Sequence, residues 1–122
     1  MKAKDEHEWM FQAYCDRMDK KGIDKEVMRV VRYFVKRLRE TGVDVSRVVV
    51  FGSHFKGTAN AESDIDLILV SKDFQNKNIF ERAGIIRKAY ADTVGKYLFG
   101  IDLIMETPED FNPDFGIVVY AA

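Results

Sequence analysis

One cysteine, Cys15, stands in a chain of 122 residues, which leaves no partner for a disulfide within the chain and excludes a cysteine-based zinc site. The two histidines, His7 and His54, lack the paired spacing of metal ligands. Charge of one sign is also lacking: 19 basic residues offset 20 acidic ones, a formal net charge of −1 that implies no dedicated nucleic-acid binding and no general attraction to an anionic membrane. No apolar run approaches the roughly 20 residues a transmembrane helix needs. The first residues, MKAKDEHEWM, are charged and carry no apolar core of a signal peptide, so the expectation is a cytoplasmic protein. There is no internal repeat, linker or low-complexity segment. What is present is 47% hydrophobic and 32% charged residues, the composition of an ordinary globular chain, and a length suited to one domain over 1–122.

Apolar positions at helical spacing predict a helix over residues 3–21, through Trp9, Met10, Ala13, Tyr14 and Met18, before Gly22 interrupts it. A second helix follows, with Asp24 placed to cap it and Val27, Val30, Val31, Phe34, Val35 and Leu38 as its apolar stripe. Arg37 and Arg39 sit near its C-terminal end, and Gly42 can close it. The run RVVVF (47–51) is short, β-branched and ends at a glycine, which predicts a strand. DIDLILV (64–70) is a second. Helical spacing returns over 77–98 through Ile79, Phe80, Ala83, Ile86, Ala89, Tyr90, Val94 and Tyr97, aromatic positions that read as core. GIDLIME (100–106) is a third strand whose Ile-Asp-Leu-Ile opening repeats that of the second. Thr107 and Pro108 begin a turn or short helix, and GIVVYAA (116–122) is an edge strand or a helix, its periodicity too short to separate the two. The expected class is α/β (α+β): a sheet of 3–5 strands flanked by helices, in the order α-α-β-β-α-β-(β).

Gly52 follows a strand, the place where exposed backbone N–H groups favour an anion. Neither common phosphate motif fits it. The G-x-G-x-x-G fingerprint is not supplied by Gly52, Ser53 and His54. A Walker loop has the right glycine spacing from Gly52 to Gly57, but Thr58 and Ala59 stand where Lys and Ser/Thr belong. A third reading joins Gly52 and Ser53 to the aspartates downstream, Ser53 offering a hydroxyl and an N–H to a terminal phosphate and Lys56 adding charge. On a strand, residues i and i+2 point the same way, so Asp64 and Asp66 project from one face with Cα atoms roughly 6.5–7 Å apart. Carboxylates so close repel unless a cation lies between them, and Mg²⁺, which takes carboxylates, water and substrate phosphates, suits the pair. Asp102 occupies in its strand the place that Asp66 occupies in its own. If the two strands are neighbours, three carboxylates serve one or two metal ions, the arrangement of in-line phosphoryl chemistry. The plain alternative is three aspartates at solvent-exposed strand ends.

Gly52-Ser53, ten residues, Asp64-Ile65-Asp66 and a third Asp in a later strand together resemble the DNA polymerase beta superfamily of nucleotidyltransferases. The short form, the minimal nucleotidyltransferase with its GS-x10-DxD signature, is most similar. The resemblance covers about residues 43–106. It implies the nucleotidyltransferase fold with a mixed sheet, Mg²⁺ dependence, and transfer of a nucleoside monophosphate, AMP if the NTP is ATP, with release of pyrophosphate. Carried onto this chain, Gly52 and Ser53 bind the triphosphate, Asp64 and Asp66 bind metal, and Asp102 is the third carboxylate and possible base. The chain departs from its relatives at Phe55 and Lys56, where Lys56 stands in for an arginine as a third nucleotide-binding residue. Minimal members resemble proteins paired with a separate small helical partner of the HEPN type, often as an antitoxin that adenylylates the partner's tyrosine. The expected function is therefore transfer to a partner protein, with a homo-oligomer possible. Transfer to a small molecule such as an aminoglycoside, or a non-catalytic nucleotide- or partner-binding module, are the rival readings.

Overall fold

The computed structural model describes residues 25–52, 64–112 and 116–121. The expected helix over 3–21, together with His7, Cys15, Asp24, Ser53, His54, Phe55 and Lys56, lies outside the described residues.

Helix α1 (Lys25–Glu40) buries the whole expected stripe, Val27, Val30, Val31, Phe34, Val35 and Leu38, and adds Met28. It stops where a left-handed residue can turn the chain: Gly42 has φ +91°, and the Val43 N–H returns to the Leu38 carbonyl at 3.0 Å. Strand β1 (Arg47–Phe51) follows within a few residues. It pairs antiparallel with β2 (Ile65–Val70), Arg47 opposite Val70 and Phe51 opposite Asp66. A short 3₁₀ turn, Lys72–Phe74, which periodicity did not signal, is capped by the Ser71 hydroxyl accepting from the Asp73 N–H at 3.0 Å.

Helix α2 (Ile79–Tyr97) opens with a reciprocal capping box between Asn78 and Glu81, both bonds 2.8 Å. It carries the chain back along the sheet, so that β3 (Ile101–Glu106) lies parallel to β2, as a helical crossover permits. The expected apolar face of α2 holds in part. Ile86 and Ala89 are buried and Tyr90, Val94 and Tyr97 pack against the core, whereas Ile79 and Phe80 stand 67% and 84% exposed. These two belong to the first turn, where the capping box and not burial sets the helix start. Residues 107–110 form a turn in which the Thr107 carbonyl accepts from the Asp110 N–H at 3.1 Å. Strand β4 (Ile117–Ala121) decides between the strand and the helix that periodicity left open; it pairs antiparallel with β1, so the sheet runs β3-β2-β1-β4.

Alternation along the strands sorts the sheet into two faces. Val48, Val50, Ile65, Leu67, Leu69 and Ile101 join α1 and α2 in the main core. Val49, Ile68 and Val70 face the other way, packed with Phe51, Phe111 and Val118. The helices are tied together by Arg37, whose Nε and terminal nitrogen donate to Asp92 Oδ2 at 3.2 and 2.7 Å. That hydrogen-bonded guanidinium holds the Asp92 carboxyl below its ordinary range.

Candidate active site

The face opposite the helices carries the acidic residues at one end of the sheet. Asp66 and Asp102 share that face because they are register partners across the parallel β2–β3 ladder. Neighbouring strands lie about 4.8 Å apart, so the two backbones bring the carboxylate-bearing positions side by side. Asp64 immediately precedes β2. The Ile65 N–H donates to the Gly100 carbonyl at 2.8 Å, which fixes Asp64 beside Gly100 as the ladder begins. Asp64 and Asp102 are exposed and Asp66 is half-buried, while the intervening Ile65 turns into the main core and is fully buried. The parity argued from the sequence is the parity of the fold.

Two glycines receive two of these carboxylates. Gly52, with φ +73°, directly follows β1 in a conformation that L side chains rarely adopt, and the carboxylate of Asp66 lies against it. A Cβ at position 52 would meet Asp66 Cγ at 2.9 Å and an Asp66 carboxylate oxygen closer still. Gly100 does the same for Asp64, whose Cγ would lie 2.9 Å from a Cβ placed there. Gly52 was legible in the sequence as the Gly of Gly-Ser. Gly100 was not; its only mark was its place at the head of a strand, and its contact with Asp64 arises from the parallel pairing.

The carboxylates share a face and a sheet end, yet Asp66 leans onto the last residue of the β1 side and Asp64 onto the first of the β3 side. Among the described residues, no three His, Cys, Asp or Glu side chains are gathered as a group that could hold a metal ion. The donor set is nonetheless all hard carboxylate oxygen on one face, beside two side-chain-free positions, which fits an oxygen-seeking divalent cation such as Mg²⁺. Ser53 and Lys56 lie outside the described residues. A separate groove at the opposite end of the sheet, about 440 Å³ and lined by residues including Arg39, Asp44, Lys72, Asp73 and Tyr120, contains none of the predicted site residues. There, burial pushes the Tyr120 hydroxyl above its usual range, although Arg39 donates to it at 3.3 Å. Among the described residues, no helix is long and apolar enough to cross a membrane.

The chain is similar to known proteins over the same region. A protein of Methanocaldococcus jannaschii named "Putative protein adenylyltransferase MJ1305" is 26% identical over 90 residues, which are 73% of this chain and 60% of that protein. The chain thus spans less than two thirds of the curated relative it matches. Among solved structures, "a putative nucleotidyltransferase from Sulfolobus solfataricus" superposes with a TM-score of 0.53 at 17% identity, covering 86% of this chain and 93% of that one. A chain from a crystal structure of a toxin-antitoxin with AMP-PNP superposes with a TM-score of 0.51 at 18% identity, covering 75% of this chain and 73% of that one. At these identities the two structures share the fold. The family model of the nucleotidyltransferase domain matches residues 29–111, from α1 through β3 and the turn after it, and the chain belongs to that family.

Proposed function

We propose that this chain is a Mg²⁺-dependent nucleotidyltransferase that moves AMP from ATP, or the corresponding group from another NTP, to a hydroxyl on a partner protein. The observation that carries the reading is the register of Asp66 with Asp102, with Asp66 against Gly52 and Asp64 against Gly100 at the same end of the sheet. Family membership and a relative named for protein adenylylation support it.

In this reading, Gly52 and Ser53 take the triphosphate, and Lys56 balances its charge. Asp64 and Asp66 would hold the metal that accompanies the phosphates, and Asp102 would complete its ligands or those of a second ion. When bound, the metal supplies charge neutralisation at the phosphates and lowers the pKa of the acceptor hydroxyl. The acceptor oxygen attacks the α-phosphorus, the α–β phosphoanhydride bond breaks and pyrophosphate leaves. The hydroxyl proton passes to the Asp102 carboxylate, a reading supported by the exposure of that side chain. The acceptor is a tyrosine of a small helical partner of the HEPN type, and the chain is its antitoxin in the cytoplasm. The toxin-antitoxin structure of like fold supports such a pairing.

The test is incubation of the chain with α-labelled ATP and Mg²⁺, with and without the candidate partner. Label on the partner, with stoichiometric pyrophosphate, is expected. Label passing to an aminoglycoside instead, or nucleotide binding without transfer to any acceptor, would overturn the reading.

A further inference from the structure

Asp102 sits on an edge strand, with β2 on one side and no strand beyond it on the other among the described residues. Gly100 and Glu106 turn their carbonyls to the β2 side, accepting from Ile65 N–H at 2.8 Å and Ser71 N–H at 3.0 Å. Backbone groups alternate sides along a strand, so Ile101, Leu103 and Met105 turn theirs outward. Two of those three outward carbonyls are taken by side chains of α2. The Tyr90 hydroxyl donates to the Ile101 carbonyl at 2.7 Å, and an Arg82 terminal nitrogen donates to the Met105 carbonyl at 2.8 Å.

The spacing of the two elements makes this possible. Tyr90 and Arg82 are eight residues apart, about 12 Å along a helix, while Ile101 and Met105 are four residues apart, about 13 Å along a strand. Both donors are themselves held. The Tyr90 ring packs edge-on against the buried Phe34 with centroids 6.4 Å apart. Arg82 also donates through Nε to the Lys77 carbonyl at 3.0 Å and lies over the Phe74 ring, 5.7 Å from its centroid.

We propose that Tyr90 and Arg82 are positioning residues for the third carboxylate: they act in place of an outer strand, gripping β3 on both sides of Asp102–Ile104 and keeping Asp102 opposite Asp66. The inference rests on the proposed function for Asp102's role in transfer, and on geometry alone for the grip itself. An edge engaged in this way is also less available for strand addition.

Tyr90→Phe deletes one hydroxyl and leaves the packed ring, and Arg82→Gln removes the second grip. Hydrogen exchange on the whole chain should show the amides of β3 losing protection about 2- to 10-fold in either variant, the factor one lost hydrogen bond gives, while those of β1 stay unchanged. MgATP affinity should stay within about twofold, because Asp64 and Asp66 are untouched. The transfer rate should fall about 3- to 10-fold, more in the double variant. Asp92→Asn, which loosens the helix pair away from β3, is the control: any loss of protection should fall on β1 and β3 alike, and transfer should be unchanged. Unchanged β3 protection in both variants overturns the grip. Loosened β3 with wild-type transfer overturns the positioning role. If the wild-type chain transfers nothing, the proposed function has failed instead, and the exchange result still decides whether these side chains hold the strand.

Discussion

Asp66 and Asp102 stand opposite each other across a parallel ladder, on strands separated in sequence by the whole of α2. The pairing puts a carboxylate of the DxD run beside one that no local motif contains. It also suggests a division of labour. In the proposed function, Asp64 and Asp66 serve ground state and transition state alike, whereas Asp102 serves the acceptor hydroxyl. Asp102→Asn is therefore expected to bind MgATP nearly normally while transfer falls by a factor on the order of 10²–10⁴, the scale of general-base assistance. Calorimetry and label transfer on one preparation measure both. Transfer at the wild-type rate would place Asp102 outside the chemistry.

The two glycines under the carboxylates predict opposite costs. Gly100→Ala meets only the end of an exposed Asp64 side chain, and its φ is not left-handed, so the fold should be unchanged or gain about 0.4–1 kcal/mol from a stiffer unfolded chain. The Asp64 carboxylate must move, however, and MgATP binding should weaken. Gly52→Ala carries the strain of φ +73° as well as the encounter with Asp66, and should cost about 1–2 kcal/mol of stability besides losing activity. Urea melts beside nucleotide titrations separate the two. Equal destabilisation by both substitutions would contradict this account of Gly100.

MgATP should stabilise the folded chain, and neither ATP nor Mg²⁺ alone should do so comparably. A ligand at about 100 times its dissociation constant contributes about 2.7 kcal/mol, an effect a thermal melt resolves. A melting temperature unmoved by saturating MgATP would favour a module that only binds a partner.

The Arg37–Asp92 pair predicts a pH dependence away from the site. The hydrogen-bonded guanidinium holds the Asp92 carboxyl below its ordinary value of about 3.9, so the contribution of the pair is complete above that value and is lost as pH falls through the lower folded one. The wild type should exceed Asp92→Asn in stability near neutral pH, and the gap should close from about pH 4 downward. Denaturant melts of both proteins across that range test it; a gap that persists undiminished at about pH 2 would mean the pair is not what separates them.

Local pattern was sufficient wherever one residue type at one spacing had a single physical solution. Val27 to Leu38 repeat at helical spacing and are buried on α1; Arg47–Phe51 is short and β-branched and is β1 to the residue. Asp66 and Ile68 share a face because a strand has period two, and Asp64, just before β2, keeps the same parity where the Ile65 N–H meets the Gly100 carbonyl. The Ile79 and Phe80 positions were misread for the complementary reason. Spacing places a residue on one side of a helix, but whether anything lies against that side depends on tertiary packing, and here the first turn leaves both side chains exposed among the described residues.

Which strands are neighbours was settled by packing and not by local pattern. Nothing local to Asp102 states that β3 lies beside β2, nor that Gly100 would receive Asp64, nor that Tyr90 and Arg82 would meet the outer carbonyls of β3. These are consequences of the α2 crossover, which makes the two Ile-Asp-Leu-Ile runs parallel and in register. A parallel pair must be joined by a long connection, so its contacts are far apart in sequence and leave no short-range trace. Residue spacing marked α1, β1, β2 and β3 and the faces they bury, because each pattern had one local solution; the α2 crossover set the third carboxylate opposite Asp66.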